Sequence, residues 1–216
     1  MTRKPINPDI GYELANPTGV SISPDGNLAV YGVSKPDTKS GKLNNSLWIK
    51  DIKDSGSAPR KLTSGTTDEN PKFSSDASLI AFLRDDSKGK KQIWVLQMSG
   101  GEASMVTSLP ESIRDFSWKP NSTGFAAVAD VDPDYDGDTD YDEIQVIPVS
   151  RIRYRHDELR WRGNSVTQLF DVDIATKESK QLTFDDGDQG IPSWSPDGLK
   201  LAFISDAMPE RDFHAG

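Results

Sequence analysis

Apolar side chains in this sequence arrive in short bursts and never in the long stripe of an amphipathic helix. One set of bursts covers Leu28 to Tyr31, Leu79 to Leu83, Phe125 to Ala129 and Leu201 to Ile204. A second set follows at Leu47-Trp-Ile-Lys-Asp-Ile52, Ile93-Trp-Val-Leu96 and Leu169-Phe-Asp-Val-Asp-Ile174. A third set closes each group with Arg60-Lys-Leu-Thr63, Ser104-Met-Val-Thr107 or Lys180-Gln-Leu-Thr183. Each run is only a few residues long, rich in β-branched and aromatic side chains, and bounded by Gly, Pro, Asp and Ser, so each predicts a strand. No segment sustains the 3.6-residue period that a helix requires.

An anchor and a turn precede each group. Val20-Ser-Ile-Ser-Pro-Asp-Gly26 and Pro192-Ser-Trp-Ser-Pro-Asp-Gly198 are full copies, and Pro71-Lys-Phe-Ser-Ser-Asp-Ala77 and Phe116-Ser-Trp-Lys-Pro-Asn-Ser122 are degenerate ones. Proline presets φ for the second position of a type I turn, and Ser, Asp and Gly suit the positions around it, so the element reverses the chain between antiparallel strands. The anchors Ile22, Phe73, Trp118 and Trp194 are spaced by 51, 45 and 76 residues. Two intervals match the ~40–50-residue period of a propeller blade, and the third carries an insertion. The pattern predicts an all-β chain, a partial β-propeller of about three and a half four-stranded blades. Its units start near 20, 71, 116 and 192, with residues 1–17 as an N-terminal extension, 18–216 as the incomplete propeller, and the insertion at about 130–167. The fourth unit has an anchor, a turn and one strand, and no Trp-Ile-Lys-Asp-like or Leu-Thr-like run follows. Unsealed end blades expose apolar faces and strand edges, which favours pairing with a partner or self-association. The chain therefore reads as the front half of a longer polypeptide.

Composition removes several function classes. With 34 acidic against 25 basic side chains, the net charge of −9 argues against a nucleic-acid binder. The absence of cysteine rules out a disulfide framework, Cys-ligated zinc and a cysteine nucleophile. No apolar run approaches the roughly 18 residues of a membrane span, and residues 1–10 lack the apolar region of a signal peptide, so a cytoplasmic protein without membrane contact is expected.

The order of anchor, Ser-Pro-Asp-Gly, apolar strand, Leu-Trp/Phe-x-x-Asp strand and Leu-Thr resembles the propellers of the prolyl oligopeptidase family and of the Tol-system periplasmic propeller protein. The segment Arg151-Ile-Arg-Tyr-Arg-His156, followed by Gln168-Leu-Phe-Asp-Val-Asp-Ile174, is similar to the acylaminoacyl-peptidase and dipeptidyl-peptidase-like branch of that family. The resemblance implies a substrate-gating propeller that caps an α/β-hydrolase domain and admits short peptides. The chain itself holds no Gly-x-Ser-x-Gly, and its two histidines, His156 and His214, stand in no recognisable triad context. No catalytic residue and no cofactor is expected here, and the chain alone should be inactive. The alternative is a non-enzymatic, Tol-like propeller that binds other proteins.

Two constellations sit in the insertion. Asp132-Pro-Asp-Tyr-Asp-Gly-Asp-Thr-Asp-Tyr-Asp-Glu143 fits the calcium-loop pattern, with Asp132, Asp134, Asp136 and Glu143 as the ligand candidates. An EF-hand needs flanking helices, whereas strands are predicted here, so a solvated acidic loop is the favoured reading and a calcium site between strands the alternative. Just downstream, strand alternation places Arg151, Arg153 and Arg155 on one face. These guanidinium groups have three readings: pairing with the acidic loop, an exposed charged strand, or a substrate-binding role in which they face the central tunnel and attract a peptide carboxylate. Trp48, Trp94, Trp118 and Trp194 hold blade-packing positions, and Trp161 lies outside the repeat.

Overall fold

The computed structural model describes residues 10–132, 155–156, 160–161 and 164–206. The strands are β1 (Asn16–Ile22), β2 (Leu28–Pro36), β3 (Leu43–Asp51), β4 (Arg60–Lys61), β5 (Glu69–Phe73), β6 (Leu79–Asp85), β7 (Lys91–Gln97), β8 (Ser104–Met105), β9 (Ile113–Trp118), β10 (Gly124–Val131), β11 (Arg155–His156), β12 (Arg160–Trp161), β13 (Val166–Asp173), β14 (Ser179–Gln181), β15 (Ser193–Trp194) and β16 (Leu201–Ala202). They build three antiparallel four-stranded sheets, β1-β2-β3-β4, β5-β6-β7-β8 and β9-β10-β13-β14, and a two-stranded fourth, β15-β16. The small hairpin β11-β12 lies in the chain between β10 and β13, within the insertion. Among the described residues the fold is thus an all-β array of three four-stranded blades and a two-stranded part of a fourth. A single helical turn, α1 (Ile10–Glu13), precedes the first sheet, a feature that the alternating pattern does not predict.

Local chemistry repeats with the sheets. In each turn the closing bond runs from Ser23 N to Leu28 O, Ser74 N to Leu79 O, Lys119 N to Gly124 O and Ser195 N to Lys200 O, at 2.8–2.9 Å. Inside it, Gly26, Ala77, Ser122 and Gly198 donate back to the carbonyls of Ser23, Ser74, Lys119 and Ser195. All four of these inner residues have φ between 59° and 71°. That left-handed conformation explains the glycine of the full motif, and it strains the alanine and serine of the degenerate copies. The Leu-Thr run closes each blade by a second device. Leu62, Val106 and Leu182 donate their N–H groups to the carbonyls of Leu47, Ile93 and Leu169. The hydroxyls of Thr63, Thr107 and Thr183 accept from the N–H groups of those same three residues at 2.9–3.1 Å. A side chain thus stands in for a ladder carbonyl where the fourth strand turns away.

The middle sheet is buried on both faces because its strands alternate apolar residues in both directions. Val30, Leu47, Ile49, Phe73, Ile80, Phe82 and Leu96 fill the space between the first and second blades. Ala81, Leu83, Ile93, Val95, Phe116, Trp118, Phe125, Ala127 and Phe170 fill the space between the second and third. Phe116 and Phe125 meet edge-to-face at 5.4 Å. The first strands of neighbouring sheets converge, where Phe73 N donates to Ser21 Oγ at 3.2 Å and Trp118 Nε1 donates to Lys72 O at 3.0 Å. At the ends of the array this stops. Ile22, the first anchor, is 49% exposed, because no sheet among the described residues covers the outer face of the first blade.

Candidate functional site

All the strand connections leave the sheets at two faces. The four repeat turns lie on one. The opposite face carries the β2–β3 and β6–β7 loops, the ends of β10 and β13 that flank the insertion, and the crossovers from each blade to the next. The crossover face holds most of the ionic chemistry. The carboxylate of Asp68 is fully buried and paired with both Nε and Nη2 of Arg84, at 2.6 and 2.9 Å. The guanidinium also lies 5.0 Å from the rings of Phe82 and Trp94, an aromatic clamp that suits a flat, weakly hydrated cation. Gly65 is required beside it, since a Cβ there would lie 2.2 Å from Asp68 Oδ1.

Around this pair, Lys90 bonds Glu111 at 2.6 Å, Arg114 bonds Asp130 at 2.5 Å, and Lys91 pairs with Glu69. Deeper, Lys72 bridges to Asp115 at 2.6 Å and to the carbonyl of Phe116, with Asn70 donating to the same carboxylate at 2.8 Å. Burial raises the pKa of Asp85 above its ordinary value, and the nearby Lys91 ammonium opposes that shift. Two buried glutamines hold the crossovers. Gln92 accepts from Thr107 Oγ1 and Leu109 N and donates to Leu109 O at 2.9–3.0 Å. Gln168 donates to the carbonyls of Asp185 and Gly187 at 2.7 and 3.1 Å.

This arrangement fixes the connecting segments of the described blades in place. Its acids and bases are spent on one another, and among the described residues no group of three or more His, Asp or Glu is placed to hold a metal ion. The sequence candidates fall mostly elsewhere. Arg151, Arg153, Asp134, Asp136 and Glu143 lie outside the described residues. Asp132 follows β10 on the crossover face, and Arg155 stands in β11, paired in register with Trp161. Asp68 and the two glutamines escaped the motif reading. The signal for the glutamines was present in the recurrence of Gln-Ile-Trp at 92–94 and Gln-Leu-Phe at 168–170. No helix among the described residues is long and apolar enough to cross a membrane.

No family model matches the chain. It is 27% identical over 215 residues to an uncharacterized peptidase, YuxL, of Bacillus subtilis (strain 168), an alignment that covers 97% of this chain and 32% of the relative. It is 25% identical over 227 residues to dipeptidyl-peptidase 5 of Porphyromonas gingivalis, covering 94% of this chain and 31% of that protein. The chain thus spans about a third of the length of the curated relatives it matches. Its fold superposes on the acylaminoacyl peptidase of Pyrococcus horikoshii with a TM-score of 0.64, at 20% identity, over 79% of this chain and 25% of the enzyme. TolB of Agrobacterium tumefaciens gives a TM-score of 0.58 at 21% identity, over 90% of this chain and 55% of that one. By sequence and by fold, the chain is similar to the propeller portion of peptidases of the acylaminoacyl and dipeptidyl kind.

Proposed function

We propose that the chain is the substrate-gating propeller part of a serine-type peptidase that hydrolyses short peptides, with the catalytic hydrolase domain outside these 216 residues. The observation that carries this reading is the alignment with a peptidase along 97% of the chain. In support, the four-stranded sheets pack through apolar cores into a stiff body, which in this reading is the wall that keeps folded proteins out. The crossover face, where buried glutamines and ion pairs fix the connecting segments, is the surface suited to hold a second domain in a set orientation. The insertion emerges on that same face. In this reading Arg151, Arg153 and Arg155 attract the carboxylate of an incoming peptide, a role open to charge-reversal tests. The TolB likeness supports a second, non-enzymatic reading as a protein-binding propeller, and it carries a lower TM-score.

The polypeptide that carries this chain in the cell is the material for the test, probed with a serine-reactive fluorophosphonate and with chromogenic acylated and dipeptidyl substrates. The reading expects labelling and turnover of short peptides, no turnover of folded proteins, and neither activity in the isolated 216-residue chain. Turnover by the isolated chain, or a carrying polypeptide that neither labels nor hydrolyses, contradicts it.

A further inference from the structure

Two hairpin loops on the crossover face share one design. The β2–β3 loop runs Lys35-Pro-Asp-Thr-Lys-Ser-Gly-Lys42, and the β6–β7 loop of the next blade runs Asp85-Asp-Ser-Lys-Gly-Lys-Lys91. Each is closed by an aspartate N–H on a lysine carbonyl, Asp37 on Lys42 and Asp86 on Lys90, both at 2.8 Å. Each turns on a glycine, Gly41 or Gly89, whose φ of 68° or 75° belongs to the left-handed region. That glycine donates its N–H to the carbonyl of the same aspartate. The first loop is one residue longer than the second, so the shared frame is not a copy of one sequence.

In both loops the carboxylate is locked inward. Asp37 accepts from Lys39 N at 3.1 Å and from Ser40 Oγ at 2.7 Å, and the Ser40 hydroxyl in particular holds its pKa below the ordinary value. Asp86 accepts from Lys88 N and Lys90 N at 2.8 and 2.9 Å. Lys90 and Lys91 pair with Glu111 and Glu69. The side chains of Lys35, Lys39, Lys42 and Lys88 are left exposed, with no carboxylate partner among the described residues. A chain of net charge −9 thus gathers uncompensated positive charge on two neighbouring loops. Solvation accounts for a lysine at a loop tip. It does not account for two loops of different length that each turn their own aspartate inward and present only ammonium groups.

We infer that the β2–β3 and β6–β7 loops form a docking rim for an acidic peptide, with Lys39 and Lys42 on one blade and Lys88 on the next taking side-chain carboxylates of an extended chain. Packed sheets lie about 10 Å apart, and an extended chain advances about 3.3 Å per residue, so carboxylates about three residues apart reach both loops. A single compact anion reaches only one. Lysine suits such a partner, because its ammonium is a point charge without the fork that arginine uses for fixed bidentate recognition. Nucleic acid is disfavoured, since its long polyanionic backbone meets the net negative charge of the rest of the chain. The inference rests on the loops of two four-stranded blades and on no peptidase activity, so its failure would leave the reading above untouched.

The test titrates the 216-residue chain into a fluorescent peptide of repeating Glu-Ala-Ala at low ionic strength and follows anisotropy, with NMR shifts at the amides of Gly41 and Gly89 locating the contact. Saturable binding that moves both amides is expected, and it should fade as salt rises to physiological strength. Lys39→Gln and Lys88→Gln should each weaken binding about two- to fivefold, and the two together should weaken it by the product. Lys53→Gln and Lys61→Gln, which remove exposed lysines at the outer edge of the first blade, should leave it unchanged. Inorganic phosphate at matched ionic strength should not displace the peptide. A Gln-Ala-Ala peptide that binds equally well, loop variants that bind like the parent, displacement by phosphate, or tighter binding of a single-stranded oligonucleotide would overturn the inference, as would no binding at all.

Discussion

The junction between the second and third blades and the junction between the third blade and the half-blade are built from the same repeat, yet only the first is sealed. At the sealed junction Trp118 is buried and its indole N–H reaches Lys72 O at 3.0 Å. At the open one the indole nitrogen of Trp194, its counterpart, is buried without a partner. Lys119 stands 6.0 Å from its ring and bonds Asp171 at 2.6 Å. A groove of about 650 Å³ lined by Lys119, Asp171, Trp194 and Leu199 remains there. The difference teaches that the anchor and turn place a tryptophan in both blades, while the bond to Lys72 O and the packing on Phe125 distinguish the sealed one.

The largest effects should come from the sealed core. Phe116→Ala and Phe125→Ala should each cost about 3–5 kcal/mol, while Leu199→Ala at the open junction should stay within about 0.5 kcal/mol, both read from denaturant midpoints. Equal costs at the two places would break the comparison. Arg84→Met leaves the Asp68 carboxylate buried and unpaired and should cost about 3–5 kcal/mol. Lys119→Met, which removes a partly exposed pair, should cost no more than about 1 kcal/mol. A double change of Asp68 and Arg84 to apolar residues that is as damaging as Arg84→Met alone would show that the aromatic clamp matters more than the charge.

Smaller effects sharpen the picture. Trp118→Phe removes a made hydrogen bond and should cost about 1 kcal/mol beyond the change in shape, whereas Trp194→Phe removes an unsatisfied donor and should be neutral or stabilising. The smallest effect concerns the turns. Hydrogen bonds from Ser74 and Ser78 hold the pKa of Asp76 down to about 2. Because this value lies below that of an unfolded aspartate, the contribution is present above about pH 4 and is lost as pH falls towards 2. Ser74→Ala should move the Asp76 titration, followed by NMR, up towards the ordinary carboxylate value. An unmoved titration would assign the shift to the backbone instead.

The blades were legible in the sequence because their periodicity is local: an anchor, a turn and a burst of apolar residues are each set by neighbours in the chain. The same holds for the Thr63, Thr107 and Thr183 caps, which recur at a fixed place in each unit. The interior of the crossover face was not legible. Asp68 reads as one more surface acid until Arg84, from the next strand, is seen folded over it between Phe82 and Trp94. Ile22 agrees with the expectation of an unsealed end blade, since an anchor position is buried only by a neighbouring sheet and Ile22 is 49% exposed. The insertion offered the richest motifs, Asp132 to Glu143 and Arg151 to Arg155, and these lie almost wholly outside the described residues.

The central claim is that each blade is protected by the next, so that protection should fall along the array where covering strands run out. Native-state hydrogen exchange measures this directly. The account predicts that amides in β6, β7 and β10 exchange only through the largest opening of the molecule, and that those of β15 and β16 exchange faster by orders of magnitude. Protection in β15 and β16 equal to that of β6 would contradict it.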